Sequence, residues 1–130
     1  MVLDTSAMLE LLLRTEKGEK VAELLAFSRG DIDAPHLLWT ESLQVLRRRV
    51  RAGLLSESRA LQTINLLSEL NVNFHPHSEL VGAVWRLKEN FSAYDATYVA
   101  LTEKLETTLV TSDSKLAAAP QTRVAIRVID

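Results

Sequence analysis

The chain opens with MVLDTSAMLELLL (residues 1–13), a short apolar run that ends in a carboxylate and leads into a helical pattern. The run MVLD is typical of a buried strand, and the apolar spacing after Thr5 predicts a helix. Asp4 therefore lies where a predicted strand meets a predicted helix, a position that suits a helix N-cap. Open parallel sheets bind ligands beyond the carboxyl ends of their strands, so the same position also suits a functional carboxylate.

The same alternation of short apolar runs and longer helical patterns continues along the chain. Further strands are predicted at residues 31–35, 71–76, 107–113 and 124–129. Helices are predicted at residues 5–17, 18–30, 37–52, 56–70, 78–90, 92–105 and 114–120, with Gly18 as the break between the first two. Because a helix follows a strand almost throughout, the pattern predicts an α/β fold with a central parallel sheet of four to five strands and helices on both faces.

The bulk composition limits what kind of protein this is. A length of 130 residues with 47% apolar residues predicts one well-packed domain over residues 1–130. The chain has no cysteine, which excludes disulfides and thiolate metal sites and predicts a reducing, cytoplasmic setting. The formal net charge is −2, so any binding of nucleic acid needs a local basic patch or a bound metal. No uncharged apolar stretch approaches the length of a membrane span, and we expect no membrane association.

Two further aspartates lie at predicted helix starts, as Asp4 does. Asp113 in LVTSDSKL (residues 109–116) follows a predicted strand and can cap the next helix. Asp95 in SAYDATYVA (residues 92–100) has the spacing of a capping box with Ser92. Taken singly, each of these carboxylates is explained as well by capping as by chemistry.

Glu41 is harder to explain by local structure. In the predicted helix LLWTESLQVLRRR (residues 37–49), a turn of about 100° per residue places Leu38 and Val45 near Glu41. That face is therefore expected to point inward, and a buried carboxylate costs several kcal/mol unless it is paired or binds a metal. A salt bridge with Arg48, one heptad later on the same line, is the structural alternative.

Four acids that converge on one crevice would repel one another unless cations lie among their oxygens. Mg²⁺ and similar hard cations prefer carboxylate oxygens and water, whereas zinc sites favour cysteine and histidine. With no cysteine and three histidines in the chain, the acids favour an oxygen-lined Mg²⁺ or Mn²⁺ site. Such a site can activate water and offset charge on a phosphodiester.

The segments that carry these acids resemble the PIN domain, and most closely the VapC-type toxins of bacterial and archaeal toxin–antitoxin pairs. The resemblance covers nearly the whole chain and rests on VLDTS (residues 2–6), TESLQVLRRR (40–49), SAYDATYVAL (92–101) and LVTSDSKL (109–116). It implies an α/β/α sandwich around a parallel sheet ordered 3-2-1-4-5. It also implies endonucleolytic hydrolysis of RNA with Mg²⁺ or Mn²⁺.

The same resemblance implies roles for particular residues and partners. The catalytic, metal-holding carboxylates would be Asp4, Glu41, Asp95 and Asp113. The hydroxyls of Ser6 and Thr111 match those that lie beside the first and last acids in the family, where they orient a carboxylate or a metal-bound water. The family also implies a homodimer, inhibited by a small cognate antitoxin that lies across the active site.

The basic run RRRVR (residues 47–51) is a candidate contact for RNA. Arg47, Arg48 and Arg51 fall within an arc of about 100° on the predicted helix, whereas Arg49 points away from Arg48 by a similar angle. A solvated helix face is the simpler interpretation of this run. The functional interpretation is that Arg47, Arg48 and Arg51 contact RNA phosphates. Four aromatic residues could stack on bases, but their positions in predicted helices favour a packing role. They are Trp39, Trp85, Tyr94 and Tyr98.

Three other classes of protein share parts of this pattern. A phospho-receiver needs an aspartate at the end of a mid-chain strand, but the strands at 31–35 and 71–76 end in Ala-Pro and Phe-His-Pro. A haloacid-dehalogenase-type phosphatase needs Asp-x-Asp after its first strand, and here Asp4-Thr5-Ser6 stands in that place. The remaining alternative is a non-catalytic PIN-like binding or scaffold module whose acids only cap helices. Mn²⁺ should raise the thermal stability of a nuclease but not of such a module.

Overall fold

The computed structural model describes residues 1–119 and 123–130, and they form a five-stranded parallel sheet flanked by helices. The strands are β1 (Val2–Leu3), β2 (Ile32–Pro35), β3 (Val72–His75), β4 (Thr108–Thr111) and β5 (Ala125–Val128). The helices are α1 (Thr5–Leu13), α2 (Glu16–Phe27), α3 (Leu37–Arg51), α4 (Glu57–Glu69), α5 (Val81–Arg86), α6 (Ala93–Leu105) and α7 (Ser114–Ala118), with a 3₁₀ turn at His77–Glu79.

The strand order is β3-β2-β1-β4-β5, which confirms the predicted order. The central strands β1 and β4 pair in parallel with Leu3 opposite Val110, and both side chains are fully buried. Strands covered on both faces need continuous apolar sequence, and the runs VL and LV at their centres supply it. Because the order reverses between β1 and β4, the carboxyl ends of these two strands form the crevice in which such sheets bind ligands.

Helices pack on the sheet and on one another as the predicted sandwich requires. Helix α6 contacts β1, β2 and β4, and its residues 96–102 are all buried. Helix α1 contacts β1 and β4 and also packs against α2, α3 and α4. Among the described residues, no helix is long and apolar enough to cross a membrane.

The break between α1 and α2 does not lie at Gly18, so that prediction is wrong. Helix α1 ends at Leu13, where Arg14 adopts a left-handed conformation with φ 56°, and the hydroxyl of Thr15 then caps α2 by accepting from the Gly18 N–H. Gly18 lies in the first turn of α2, where a Cβ would come 2.0 Å from the Glu10 carbonyl oxygen. Glycine is therefore required here by the close approach of two helices.

The predicted helix at 78–90 is also wrong in extent. It is replaced by the 3₁₀ turn and the six-residue helix α5, none of whose residues is buried. Leu80 and Leu87, which flank α5, are buried, and Ala83 and Val84 pack against the core. The segment therefore keeps the apolar face that its periodicity predicts, although α5 covers only Val81–Arg86. At the other end of the chain, α7 stops at Ala118, and residue 120 of the predicted 114–120 segment lies outside the described residues.

Candidate active site

Asp4 lies at the crevice between β1 and β4 and is 9% exposed. It is the N-cap of α1, as capping predicts, with Oδ1 accepting from the Ala7 N–H at 3.0 Å. Oδ1 also accepts from the Ser6 hydroxyl at 2.6 Å, and Oδ2 accepts from the Thr111 hydroxyl. Burial raises the pKa of Asp4 above its usual value, although these hydrogen bonds oppose the shift.

Ser6 and Thr111 connect the turn after β4 to this carboxylate. The Ser6 hydroxyl accepts from the Ser112 N–H at 2.9 Å, and the Thr111 hydroxyl accepts from the Asp113 N–H at 3.0 Å. Each hydroxyl thus accepts from the turn and donates to Asp4. The structure places both residues beside Asp4, where they orient its carboxylate.

Glu41 projects from α3, and no salt bridge joins it to Arg48. Its Oε1 accepts from the Tyr98 hydroxyl at 2.6 Å and from the Thr5 hydroxyl at 2.9 Å. Burial, and then the hydrogen bond to Glu41, raise the pKa of the Tyr98 phenol, so Tyr98 stays protonated and donates. The partly buried glutamate is therefore held by two neutral hydroxyls and not by a cation.

Asp95 and Asp113 are solvent-exposed and lie near the starts of α6 and α7. The capping interpretation holds for both helices: the Ser92 hydroxyl accepts from the Asp95 N–H, and Asp113 Oδ1 accepts from the Lys115 N–H at 2.9 Å. Partial desolvation of the Asp95 carboxyl group, and then the negative charges of the other three acids, Asp113 foremost, raise its pKa. Asp95 therefore lies near enough to the other three acids for their charges to act on it.

A single cleft brings all four acids together. The side chains that line it come from α1, α3, α6, the end of β1 and the turn after β4. Its lining residues are Asp4, Thr5, Ser6, Leu9, Glu10, Glu41, Val45, Arg48, Arg49, Asp95, Tyr98, Ser112 and Asp113.

The arginines of α3 divide between two surfaces. Arg48 and Arg49 line the acidic cleft, whereas Arg47 and Arg51 line a separate groove between α3 and α4. On a helical wheel, Arg48 and Arg49 lie about −20° and +80° from Glu41, and Arg51 and Arg47 lie about −80° and −120° from it. The cleft face therefore includes Arg49, which the sequence prediction left out, and excludes Arg47 and Arg51.

The donor set of the cleft fits a hard divalent cation. Its candidate ligands are all oxygens, and repulsion among carboxylates that line one cleft is the kind a cation relieves. Among the described residues, no three acidic or histidine side chains are already arranged as ligands of one ion. Mg²⁺ keeps several of its waters when it binds, so carboxylates can hold it partly through water.

Replacing Asp95 by asparagine should raise the melting temperature of the metal-free protein by a few degrees at neutral pH. The pKa of Asp95 is raised in the folded state, so the folded protein binds the proton more tightly than the unfolded chain does. The free energy of unfolding therefore falls as pH rises from the unfolded pKa through the folded one, and the amide removes this loss. Thermal melts in EDTA from acid to neutral pH measure the effect.

Asp31→Asn is the matched control. Asp31 is exposed and directly precedes β2, so it lies at the amino-terminal ends of the strands, whereas the cleft lies at their carboxyl ends. It should leave the pH dependence of the melting temperature unchanged. A melting temperature that falls in the Asp95→Asn variant would show that the charge at position 95 stabilises the fold.

Sequence reasoning did not assign Thr5, Tyr98 or Arg49 to this cleft. Thr5 directly follows Asp4, and a hydroxyl next to a candidate catalytic carboxylate is a signal that could have identified it. Tyr98 lies three residues after Asp95, which places both on one face of α6. Arg49 lies outside the arc of α3 that holds Arg47, Arg48 and Arg51, but it lies on the face that surrounds Glu41 and lines the cleft.

Comparison with known proteins adds family information to this geometry. The sequence model of the family described as "PIN domain" matches residues 1–121. Ribonuclease VapC1 of Mycobacterium tuberculosis is 38% identical over 130 residues, an alignment that covers 98% of this chain and 96% of that protein.

Solved structures share the fold. PAE2754 from Pyrobaculum aerophilum superposes with a TM-score of 0.69 at 25% identity, covering 98% of this chain and 82% of that one. VapBC2 from Rickettsia felis, bound to a DNA fragment from their promoter, gives a TM-score of 0.67 at 13% identity, covering 99% of this chain and 98% of that one.

Proposed function

The chain belongs to the PIN-domain family, and on that premise we propose that it is a divalent-metal-dependent endoribonuclease, the VapC-type toxin of a toxin–antitoxin pair. The observation that carries the proposal is the meeting of Asp4, Glu41, Asp95 and Asp113 in one cleft at the reversal of strand order. The relative VapC1, similar over nearly its whole length, is named a ribonuclease, which supports RNA as the substrate.

Mg²⁺ or Mn²⁺ is the proposed cofactor. Asp4, Glu41, Asp95 and Asp113 would hold it, directly or through water, while the Ser6 and Thr111 hydroxyls keep the Asp4 carboxylate oriented. When bound, such a cation lowers the pKa of water and offsets the charge that develops on the phosphate.

Asp95 is the proposed general base. It is exposed in the cleft, where its carboxylate can reach a water beside the scissile phosphate. Asp4 is less suited to that role, because both of its oxygens already accept hydrogen bonds. The water oxygen forms a bond to phosphorus and the bond from phosphorus to the 3′ oxygen breaks, which leaves a 5′-phosphate and a 3′-hydroxyl.

RNA approaches a cleft whose acidic floor is bordered by basic side chains. Arg48 and Arg49 line the wall, where guanidinium groups can pair with phosphates on either side of the scissile bond. Arg47 and Arg51 point into the other groove and would contact only RNA that extends around α3.

The proposed setting follows the family. We propose a cytoplasmic protein with one PIN domain over residues 1–130, active as a homodimer and held inactive by a small cognate antitoxin. The structural neighbour from Rickettsia felis is a VapBC2 assembly on promoter DNA, which supports an antitoxin partner.

Cleavage of total cellular RNA by the purified chain tests the proposal. Incubation with Mn²⁺ or Mg²⁺ should give discrete fragments with 5′-phosphates, and EDTA or Asp95→Asn should abolish them, while Asp31→Asn should cleave normally. Folded, antitoxin-free protein that cleaves no RNA in either metal would favour the binding-module alternative. Cleavage that survives Asp95→Asn would place the activity elsewhere.

A further inference from the structure

We infer that Thr5 and Tyr98 are positioning residues that hold one oxygen of Glu41, so that its other oxygen faces the cation. This inference rests on the proposed metal-dependent function of the cleft. It concerns two residues outside the acidic set, and it follows from how three side-chain oxygens meet.

The three oxygens form a closed triangle. Tyr98 Oη lies 2.6 Å from Glu41 Oε1, Thr5 Oγ1 lies 2.9 Å from the same atom, and the two hydroxyl oxygens lie 2.9 Å apart. Two hydroxyl protons are available for three oxygen pairs. Hydrogen bonds to an ionised carboxylate are stronger than those between neutral hydroxyls, so both protons point to Glu41.

The two oxygens of Glu41 consequently differ. Oε1 receives both donors, whereas Oε2 has no hydrogen-bond partner among the described residues. Oε2 is not among the buried polar side-chain atoms that lack partners, which within the described residues are Ser42 Oγ and Glu103 Oε1. It is therefore open to the cleft that Glu41 lines.

The donors are themselves fixed by packing. Tyr98 is 2% exposed in the buried face of α6, and Thr5 is 9% exposed at the start of α1, next to Asp4. Through them the carboxylate on α3 is tied to the two elements that carry Asp4 and Asp95. A free glutamate side chain would lose rotamer entropy on binding an ion, and these hydroxyls remove much of that cost in advance.

Tyr98→Phe tests the inference, because it removes one hydroxyl and keeps the buried ring. Mn²⁺ titration followed by thermal shift should show the half-saturating concentration rise about 10-fold or more. RNA cleavage should need correspondingly more Mn²⁺, with kcat largely restored at saturation and the KM for RNA unchanged. Tyr94→Phe is the matched control, since Tyr94 lies on the same helix and is 63% exposed.

Thr5 supplies an independent test. Thr5→Val keeps the shape and loses the donor, so it should weaken Mn²⁺ binding, whereas Thr5→Ser keeps the hydroxyl and should restore it. A purely structural role would lower the metal-free melting temperature without moving the half-saturating Mn²⁺ concentration, and that result in both variants would overturn the inference. If the unsubstituted chain binds Mn²⁺ but cleaves no RNA, the proposed function is overturned. The positioning role is then still tested by the half-saturating Mn²⁺ concentrations of the variants.

Discussion

Asp4→Asn is expected to reduce RNA cleavage in Mg²⁺ roughly 10³-fold, since loss of a charged ligand forfeits several kcal/mol of stabilisation and each 1.4 kcal/mol is about tenfold in rate. Asp4 is the most buried of the four acids, and three donors orient it. The amide keeps the shape and can still accept from Ala7, so the fold should persist. Cleavage assays beside circular dichroism separate loss of chemistry from loss of structure.

The control for this substitution is again Asp31→Asn, which also removes one carboxylate charge, but at the amino-terminal ends of the strands. It should leave cleavage within about twofold of the unsubstituted chain, because exposed charges far from a site act weakly through screened solvent. Full activity of Asp4→Asn in Mg²⁺ would show that Asp4 only caps α1.

Gly18→Ala should be strongly destabilising, lowering the free energy of unfolding by about 3 kcal/mol. The added Cβ would lie 2.0 Å from the Glu10 carbonyl oxygen and 2.6 Å from its carbon. Both atoms are backbone, so no rotamer change relieves the clash and α1 and α2 must separate. A gain in helix propensity of up to about 1 kcal/mol offsets only part of that cost.

Gly82→Ala is the matched control, because Gly82 lies inside α5 and a Cβ there meets nothing within 4 Å. It should keep or slightly raise stability by helix propensity alone. Urea unfolding of both variants measures the contrast. Equal stability of the two would mean that α1 and α2 approach less closely than the structure indicates.

Much of the site was predictable because its acids occupy positions with a local signature. Asp4 and Asp113 follow apolar strands, and Asp95 follows a capping serine, so each is visible from its neighbours. Glu41 was visible from the apolar face around it. The structural alternative for Glu41, a salt bridge with Arg48, is not formed, and two hydroxyls hold the carboxylate instead.

The residues that were missed depend on contacts between elements distant in the chain. Tyr98 is 57 residues from Glu41, and Thr5 is 36 residues from it. A hydrogen bond tolerates only a few tenths of an ångström, and the separation of α1, α3 and α6 is set by core packing. Periodicity along one helix does not report that separation.

Periodicity and the positions of the acids are local properties, so they were enough for the α/β class and the four candidate carboxylates, whereas the strand order was implied by the resemblance to the PIN domain. Helix packing settled the rest: the need for Gly18 at a helix contact, the division of the arginines between two grooves, and the hydroxyl pair on Glu41. The reason is physical. Backbone periodicity is encoded within a few residues, whereas distances between side chains of different elements depend on how the whole core fills space.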